Sequence, residues 1–559
     1  MINQFQAEQS VPEVFLPSIF QERIYDTFDT TMSNIIINAV AGSGKSTTIV
    51  ELAKRIPADK RVVFLAFNRD IVSELKLKLK DFPHIEVKTL HSFGMNELRY
   101  RFCRGNNKVD RDKLVDDSKV AKVIVKQAEN WTASFLDKDG KLDEAEKNSY
   151  CSRVEKIVDI ARFALPQSRE EMLELCSDFD VTIFNGEIDR AKEVLRECNS
   201  INDRFDFVDM VYRPAIGDWQ LKQYDVVIVD ECQDLNRSQQ KMIQKIVRKG
   251  GRMIAVGDPY QAIYGFAGAD ADSYNRLKTL FPNTIELPLS KCYRCPIDVI
   301  EHAQQIVPQI EYRDNAPKGE MRQGSVTEIK SGDFVLCRNT RPLVSLCLKF
   351  IAKGHKATIK GGDIGKNLIR MINDTKSKSL EAMWNKLDRE LEKIIAKARL
   401  ANPLKEVDEI AVVSNTKDKL EAIRSIQTGF ECRVPDDIVT AINSIFTETE
   451  DKSGIVFSTI HKSKGLEANN IFMIDKHLMP AKYATRPKDL VQEKNLDYVA
   501  RTRAKKKYIY VNDWCSDMDK MKELLDVLKP IPANPNPPKA ADIADFRRDD
   551  AKGKPRRRK

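Results

Sequence analysis

Apolar residues in this chain fall into short unbroken runs more often than into strict alternation. Asn34–Val40 (NIIINAV), Arg61–Phe67 (RVVFLAF), Asp225–Val229 (DVVIV) and Arg252–Val256 (RMIAV) are four such runs. A continuous apolar run of this length predicts a strand covered on both faces, as in a parallel sheet. Between the runs the period changes. Asp70–Leu79 and Ser238–Val247 read as amphipathic helices, and a helical stretch opens at Ser46 behind a glycine loop. Strands alternating with helices predict an α/β fold built on parallel sheets. The pattern returns at Thr284–Leu289 (TIELPL), Asp333–Cys337, Gly454–Thr459, Asn470–Ile474 and Lys507–Val511, so a second α/β unit is expected to start near Thr284. Residues 110–200 and 365–450 are charged and poor in β-runs, and read as a helical insertion in each unit.

Composition narrows the classes without naming one. The 559 residues exceed what one hydrophobic core serves, so three or four lobes are expected. No apolar run approaches the ~18 residues of a membrane span, and Met1–Phe20 lacks the pattern of a secretory signal. No membrane partner is expected. Eleven cysteines without framework spacing read as reduced thiols in a cytosolic compartment, and the lone CxxC, Cys292 and Cys295, reads as incidental. The net charge of +9 is mostly local: residues 529–559 hold ten Lys/Arg against four Asp, which leaves the rest of the chain at +3. That stretch also carries six prolines and ends in KGKPRRRK. It reads as a disordered basic tail, either solubilising or phosphate-binding. Any nucleic-acid assignment therefore has to come from motifs.

Ala39-Val-Ala-Gly-Ser-Gly-Lys-Ser-Thr47 follows a predicted strand and opens a predicted helix. Backbone N–H groups of such a loop (Ala41, Gly42, Ser43, Gly44, with Thr47 on the first helical turn) suit a phosphate chain. Lys45 has the reach for the β- and γ-phosphates, and the Ser46 hydroxyl suits Mg²⁺. Ala39 stands where the usual pattern begins with glycine. Asp230-Glu-Cys-Gln-Asp234 follows the strand DVVIV. A carboxylate there, Asp230, suits the metal, and Glu231 is placed to orient or deprotonate an attacking water. ATP and Mg²⁺ are the expected ligands.

With the P-loop, DECQD resembles the UvrD/Rep/PcrA family of superfamily-one DNA helicases. Further segments resemble that family's motifs in its order: Gln21 in IFQERI, Phe64–Arg69, Val87–Phe93, Val256–Gly268, Leu289–Arg294, Phe457–Glu467 and Leu496–Ala504. The resemblance implies two RecA-like P-loop domains, each with a helical insertion. The first would comprise 1–95 and 205–283 around an insertion at 96–204. The second would comprise 284–364 and 452–528 around a shortened insertion at 365–451. It also implies roles. Gln21 reads adenine, Tyr293 stacks on it, and Glu467 accepts a hydrogen bond from ribose. Gln261 senses the γ-phosphate, and Arg294 and Arg503 bring guanidinium charge to it, closing the domains on ATP. Phe67, Tyr264 and Phe266 stack on bases; Asn68, Thr89, His91, Thr459 and His461 are candidate DNA contacts. Asp206–Met210 resembles the family's DFxDL segment and carries structural weight only.

Two features depart from the family pattern. Phe266 and Ala267 stand where tryptophan and arginine are common, and the second insertion is short. No nuclease domain is expected after the last motif. The implied function is a 3′→5′ single-stranded DNA translocase and helicase, acting on single-stranded and tailed duplex DNA in the cytoplasm of a bacterial or phage-infected cell. An alternative is a nucleic-acid-sensing ATPase subunit of a larger complex, with accessory protein partners and no unwinding of its own.

Overall fold

The computed structural model describes residues 16–103, 114–131, 144–179, 181–184, 186–265, 272–401, 406–447 and 453–515. The tail expected at 529–559 and the side chain of Phe266 lie outside them. The chain divides into two compact units, with the boundary between Tyr293 and Arg294.

The first unit is built on six strands: β1 (Asn34–Ala39), β2 (Val62–Ala66), β3 (Ile85–Thr89), β4 (Tyr224–Val229), β5 (Val247–Gly257) and β6 (Thr284–Leu289). Their order is β3-β2-β4-β5-β1-β6, and every pairing is parallel. Successive side chains of one strand feed opposite faces. Ile35 and Ile37 pack with Ile24 and Ile49 on one side, while Ile36 packs with Phe93 and Met242 on the other. Each such side chain is worth roughly 1.5–3 kcal/mol when fully buried, which is why these strands read as unbroken apolar runs. The edge strand β3 (IEVKT) was not among the predicted strands, because only two of its five residues are buried.

The start of a second unit near Thr284 is corrected by the pairing. Thr284–Leu289 lies alongside β1, from Asn34↔Thr284 to Ala39↔Leu289, and completes the first sheet. An apolar run marks a strand, here one with only Leu287 and Leu289 buried, and it carries no information about which sheet accepts it.

Four helices, Lys119–Ala128, Glu144–Ala164, Arg169–Asp178 and Glu187–Ser200, fall in sequence between β3 and β4. They have a core of their own that includes Val123, Trp131, Val154 and Val194. Buried charges tie it to Asp206–Met210: Lys119 pairs with Asp209, and Arg162 pairs with Asp206 at 2.6 Å. Removing one partner of such a pair leaves an uncompensated buried charge, at about 3–5 kcal/mol.

The main sheet of the second unit has seven strands: β7 (Glu320–Gly324), β8 (Phe334–Cys337), β9 (Ala357–Lys360), β10 (Phe446–Thr447), β11 (Ile455–Thr459), β12 (Ala468–Met473) and β13 (Ala504–Val511). They run in parallel in the order β10-β9-β11-β8-β12-β13-β7. β7, β9 and β10 were not predicted; they are short, and β7 and β10 are sheet edges. The helices Gly362–Asp374, Leu380–Ala401, Ala411–Gly429 and Pro435–Ile445 fall between β9 and β10. Unlike the helices of the first unit, they share one core with their sheet, where Leu368, Ile423 and Ile438 join Ile359 and Phe457. Among the described residues no helix is long and apolar enough to cross a membrane.

Candidate functional site

In the strand order of the first unit, β4, β5 and β1 are neighbours. Their C-terminal ends carry Asp230, Asp258 and the glycine loop, so three segments far apart in sequence converge on one sheet edge. That edge is where parallel α/β sheets take ligands. The loop conformation depends on glycine: Gly42 and Gly44 have φ of 66° and 81°. Lys45 then opens the helix Lys45–Lys54, whose first N–H groups have no intrahelical acceptor. Ser43 is fully buried and its Oγ has no hydrogen-bond partner within the protein. Open helix N–H groups and an unsatisfied buried hydroxyl in one glycine loop fit a phosphate chain.

Opposite the loop is a carboxylate cluster. Lys45 Nζ lies 3.1 Å from Glu231 Oε1. Burial alone would lower the Lys45 ammonium, but Glu231, Asp258 and Asp230 together hold it above its ordinary value. Burial and the neighbouring Glu231 push Asp230 up to about 7, and burial pushes Asp258 up to about 6. Negative charge gathered this densely fits a divalent cation, which Ser46 and Asp230 would hold and which would neutralise phosphate charge there. Glu231 sits at φ 51°, a left-handed conformation costing about 1–3 kcal/mol in a residue with a side chain.

The raised carboxyl of Asp230 has a stability consequence. A carboxyl raised in the fold binds its proton more tightly there than in the unfolded chain, so ionisation is penalised increasingly as pH rises from the ordinary aspartate range to about 7. Asp230→Asn is therefore expected to raise the thermal midpoint of the nucleotide-free protein at pH 8. The gain should fade as pH falls below about 7, in melting curves recorded across that range.

Gln233 is a functional candidate that motif reading passed over. It is buried, its Nε2 donates to Glu231 Oε2, and its Oε1 accepts from the Asp258 N–H at 3.0 Å. Asp258 in turn accepts from Gln261 Nε2 at 2.7 Å and from the Tyr260 N–H at 3.0 Å. One amide thus joins the DECQD turn to the loop that carries Gln261. Gly257 makes room for it: a Cβ there would lie 2.5 Å from Gln233 Oε1. The signal was available in the spacing of DECQD, but the partner, Asp258, lies on another strand. Gln233→Ala is expected to lower kcat about 10–100-fold. Any nucleic-acid stimulation should fall more than the basal rate, in steady-state hydrolysis assays with and without single-stranded DNA.

Other residues of this unit are placed as follows. Gln21 is buried; its Oε1 accepts from the Ser18 N–H at 2.9 Å and its Nε2 donates to Thr48 Oγ1 at 2.9 Å, so it caps its own helix and braces the helix behind the P-loop. Tyr293 is held by its N–H to the Gly42 carbonyl at 2.8 Å, which puts it with the P-loop unit. The rings of Phe67 and Tyr264 are nearly parallel, 6.4 Å apart and 10° out of plane, and Phe67 is 49 % exposed. Asn68 and Thr89 each cap a helix, accepting from Ile71 N at 2.9 Å and Ser92 N at 3.1 Å. His91 stacks on Phe207 with centroids 4.0 Å apart, and burial lowers its pKa to about 4. It is neutral at pH 7, so it would meet a phosphate as a hydrogen-bonding group and not as a cation.

In the second unit, Arg294 Nε donates to Glu467 Oε2 at 2.6 Å, and its Nη1 donates to the Thr502 carbonyl at 3.2 Å. Lys505 also pairs with Glu467. Two residues that the resemblance gives to phosphate and ribose therefore hold each other. Arg503 is 1 % exposed, with Nε donating to the Val499 carbonyl at 2.9 Å and Nη1 to the Leu466 carbonyl at 3.2 Å. It is a buried, oriented guanidinium and not a helix-surface charge. Thr459 Oγ1 accepts from Lys462 N at 3.4 Å, and burial, with Arg338 and Lys462 nearby, lowers His461 to about 3. Cys292 and Cys295 are both buried and neither is in a disulfide; the Cys295 thiol donates to the Thr502 carbonyl at 3.6 Å.

The profile of the UvrD/REP helicase N-terminal domain matches residues 21–282, and that of the UvrD-like helicase C-terminal domain matches residues 349–512. F-box DNA helicase protein 1 of Schizosaccharomyces pombe is 23 % identical over 523 residues, covering 85 % of this chain and 55 % of that protein. ATP-dependent DNA helicase UvrD1 of Mycobacterium leprae is 23 % identical, over 63 % of this chain and 46 % of its own length. ATP-dependent DNA helicase PcrA of Bacillus subtilis is 22 % identical, over 50 % and 38 %. The chain spans about half the length of the curated relatives it matches. Helicase domains of this kind imply the use of ATP, usually with Mg²⁺. Matched in both helicase domains, and in their chain order, this protein belongs to the UvrD/Rep/PcrA-like family of superfamily-one DNA helicases.

Proposed function

We propose that the chain is an ATP-driven translocase that moves 3′→5′ on single-stranded DNA and unwinds duplex DNA. One observation carries the reading. The segment Asp258–Tyr264 begins at the carboxylate cluster, holds Gln261 against it, and three residues later sets Tyr264 beside Phe67. A change at the phosphate end of so short a segment reaches the stacking pair with little slack. Aromatic faces grip bases regardless of sequence, at about 1–3 kcal/mol each, which suits a motor that must release and rebind.

In this reading Lys45 binds the phosphate oxygens and Glu231 takes the proton of the attacking water. Gln261 hydrogen-bonds the terminal phosphate, and Arg294 and Arg503 offset charge on the transferring phosphoryl group. Gln21 and Tyr293 serve the base, Glu467 the ribose, and Phe67, Asn68, Thr89, His91, Tyr264, Phe266, Thr459 and His461 the strand. The test is steady-state ATP hydrolysis without nucleic acid and with single-stranded DNA, duplex DNA or single-stranded RNA, followed by unwinding of 3′- and 5′-tailed duplexes. Stimulation by single-stranded DNA and opening of the 3′-tailed duplex alone are expected. Stimulation without unwinding of either duplex would favour the sensing-subunit alternative, for which the short helical segment of the second unit speaks. No stimulation at all would overturn the motor reading.

A further inference from the structure

Among the described residues, one group of side chains able to ligate a metal is left unused by this chemistry, on the second unit. β12 and β13 are adjacent and parallel, with Met473 opposite Tyr510. The chain leaving β12 reaches Asp475 and His477 on a short 3-10 turn, and the chain leaving β13 reaches Cys515. One carboxylate oxygen, one imidazole nitrogen and one sulfur from these residues all lie within 4.8 Å of one another. The Asp475 side chain is fully buried, that of His477 is 16 % exposed, and Cys515 is buried and not in a disulfide. None of the three belongs to the nucleotide or nucleic-acid residues named above.

We propose that Asp475, His477 and Cys515 bind one Zn²⁺ ion that ties the segment after β13 to the turn after β12. The donor set selects the metal. Thiolate and imidazole suit zinc, whereas Mg²⁺ and Ca²⁺ take oxygen ligands. With zinc bonds of about 2.0–2.3 Å, tetrahedral donors stand roughly 3.3–3.7 Å apart, so the groups draw in by about 1 Å. His Nδ1 and Asp Oδ1 already stand 3.8 Å apart. The two strand ends are fixed by their ladder, so little chain has to be ordered for the ion to bind. Three protein donors leave the fourth position to water, and the exposed edge of His477 is the way in. Binding releases the thiol proton.

The experiment is titration of the chelator-treated full chain with Co²⁺, followed by displacement with Zn²⁺. One equivalent of Co²⁺ should produce tetrahedral visible bands and a sulfur-to-cobalt charge-transfer band, both erased by Zn²⁺. Cys515→Ser should abolish the charge-transfer band, and His477→Gln should weaken binding at least about tenfold. Cys292→Ser, a control on the CxxC, should change neither. A charge-transfer band that survives Cys515→Ser, or tight Co²⁺ binding that His477→Gln leaves untouched, would overturn the proposal. So would a wild-type protein that shows no such band. The half-buried His477 variant keeps the test decisive if the Cys515 variant does not fold. None of these readouts depends on ATP or DNA, so they stand apart from the motor reading.

Discussion

Replacing Lys45 with alanine is expected to lower ATP hydrolysis about 10³-fold, which is roughly 4 kcal/mol of transition-state stabilisation. Lys45 is the first residue of its helix and faces the DECQD turn, with its ammonium 3.1 Å from Glu231. It is the cation that Glu231, Asp258 and Asp230 all hold above its ordinary pKa. In the nucleotide-bound state that charge would serve the phosphates, where negative charge builds up as the terminal bond breaks. Alanine removes the charge and also leaves Glu231 without its partner. The carboxyls of Asp230 and Asp258, which Lys45 now pulls down, are expected to rise further. The variant should therefore lose nucleotide affinity and some stability of the free protein together. Nucleotide titration alongside thermal melting would check both. Hydrolysis within tenfold of the wild type would mean that the loop does not hold the reacting phosphates.

Glu231→Gln is the second large effect, and it should have a different signature. A positioned general base contributes about 10²–10⁴ in rate, so kcat is expected to fall roughly 10³-fold. The shape of the side chain is kept, and the oxygen of the new amide can still accept from Gln233 Nε2. The loss of one negative charge relieves Asp230, whose carboxyl Glu231 helps to raise, so Asp230 should ionise at a lower pH than it does now. KM for ATP is then expected to stay level or fall while kcat collapses. That split separates the base from Lys45, whose loss should impair binding as well. Parallel loss of kcat and affinity in Glu231→Gln would place Glu231 in binding and not in proton transfer.

Much of the site was legible in the chain because its chemistry restricts residue type at close spacing. A glycine loop ending in Lys-Ser-Thr after a strand has few other uses, and an acidic pair at the end of the strand DVVIV completes it. The buried strands were legible for a related reason: a strand covered on both faces must be apolar throughout. The edge strands β3, β7 and β10 are not legible in this way because half or more of each is polar, whereas the edge strand β6 is apolar enough to read. Gln21, Asn68 and Thr89 also carry structural roles that no motif reveals. Their side chains brace or cap helices, roles that depend on where neighbouring N–H groups point.

Local pattern alone was enough for the α/β class, the P-loop, the acidic turn and the order of the helicase motifs, since each depends on residues within one short stretch. Tertiary structure was needed wherever two distant stretches had to meet. It assigned Thr284–Leu289 to the first sheet through pairing with β1. It brought Gln233 to Asp258, paired Arg294 with Glu467, buried Arg503, and set Cys515 beside Asp475 and His477. The physical reason is common to all of them. Hydrogen bonds, ion pairs and coordination act over a few ångströms, and which groups come that close is decided by strand order and register, quantities that no single segment of sequence contains.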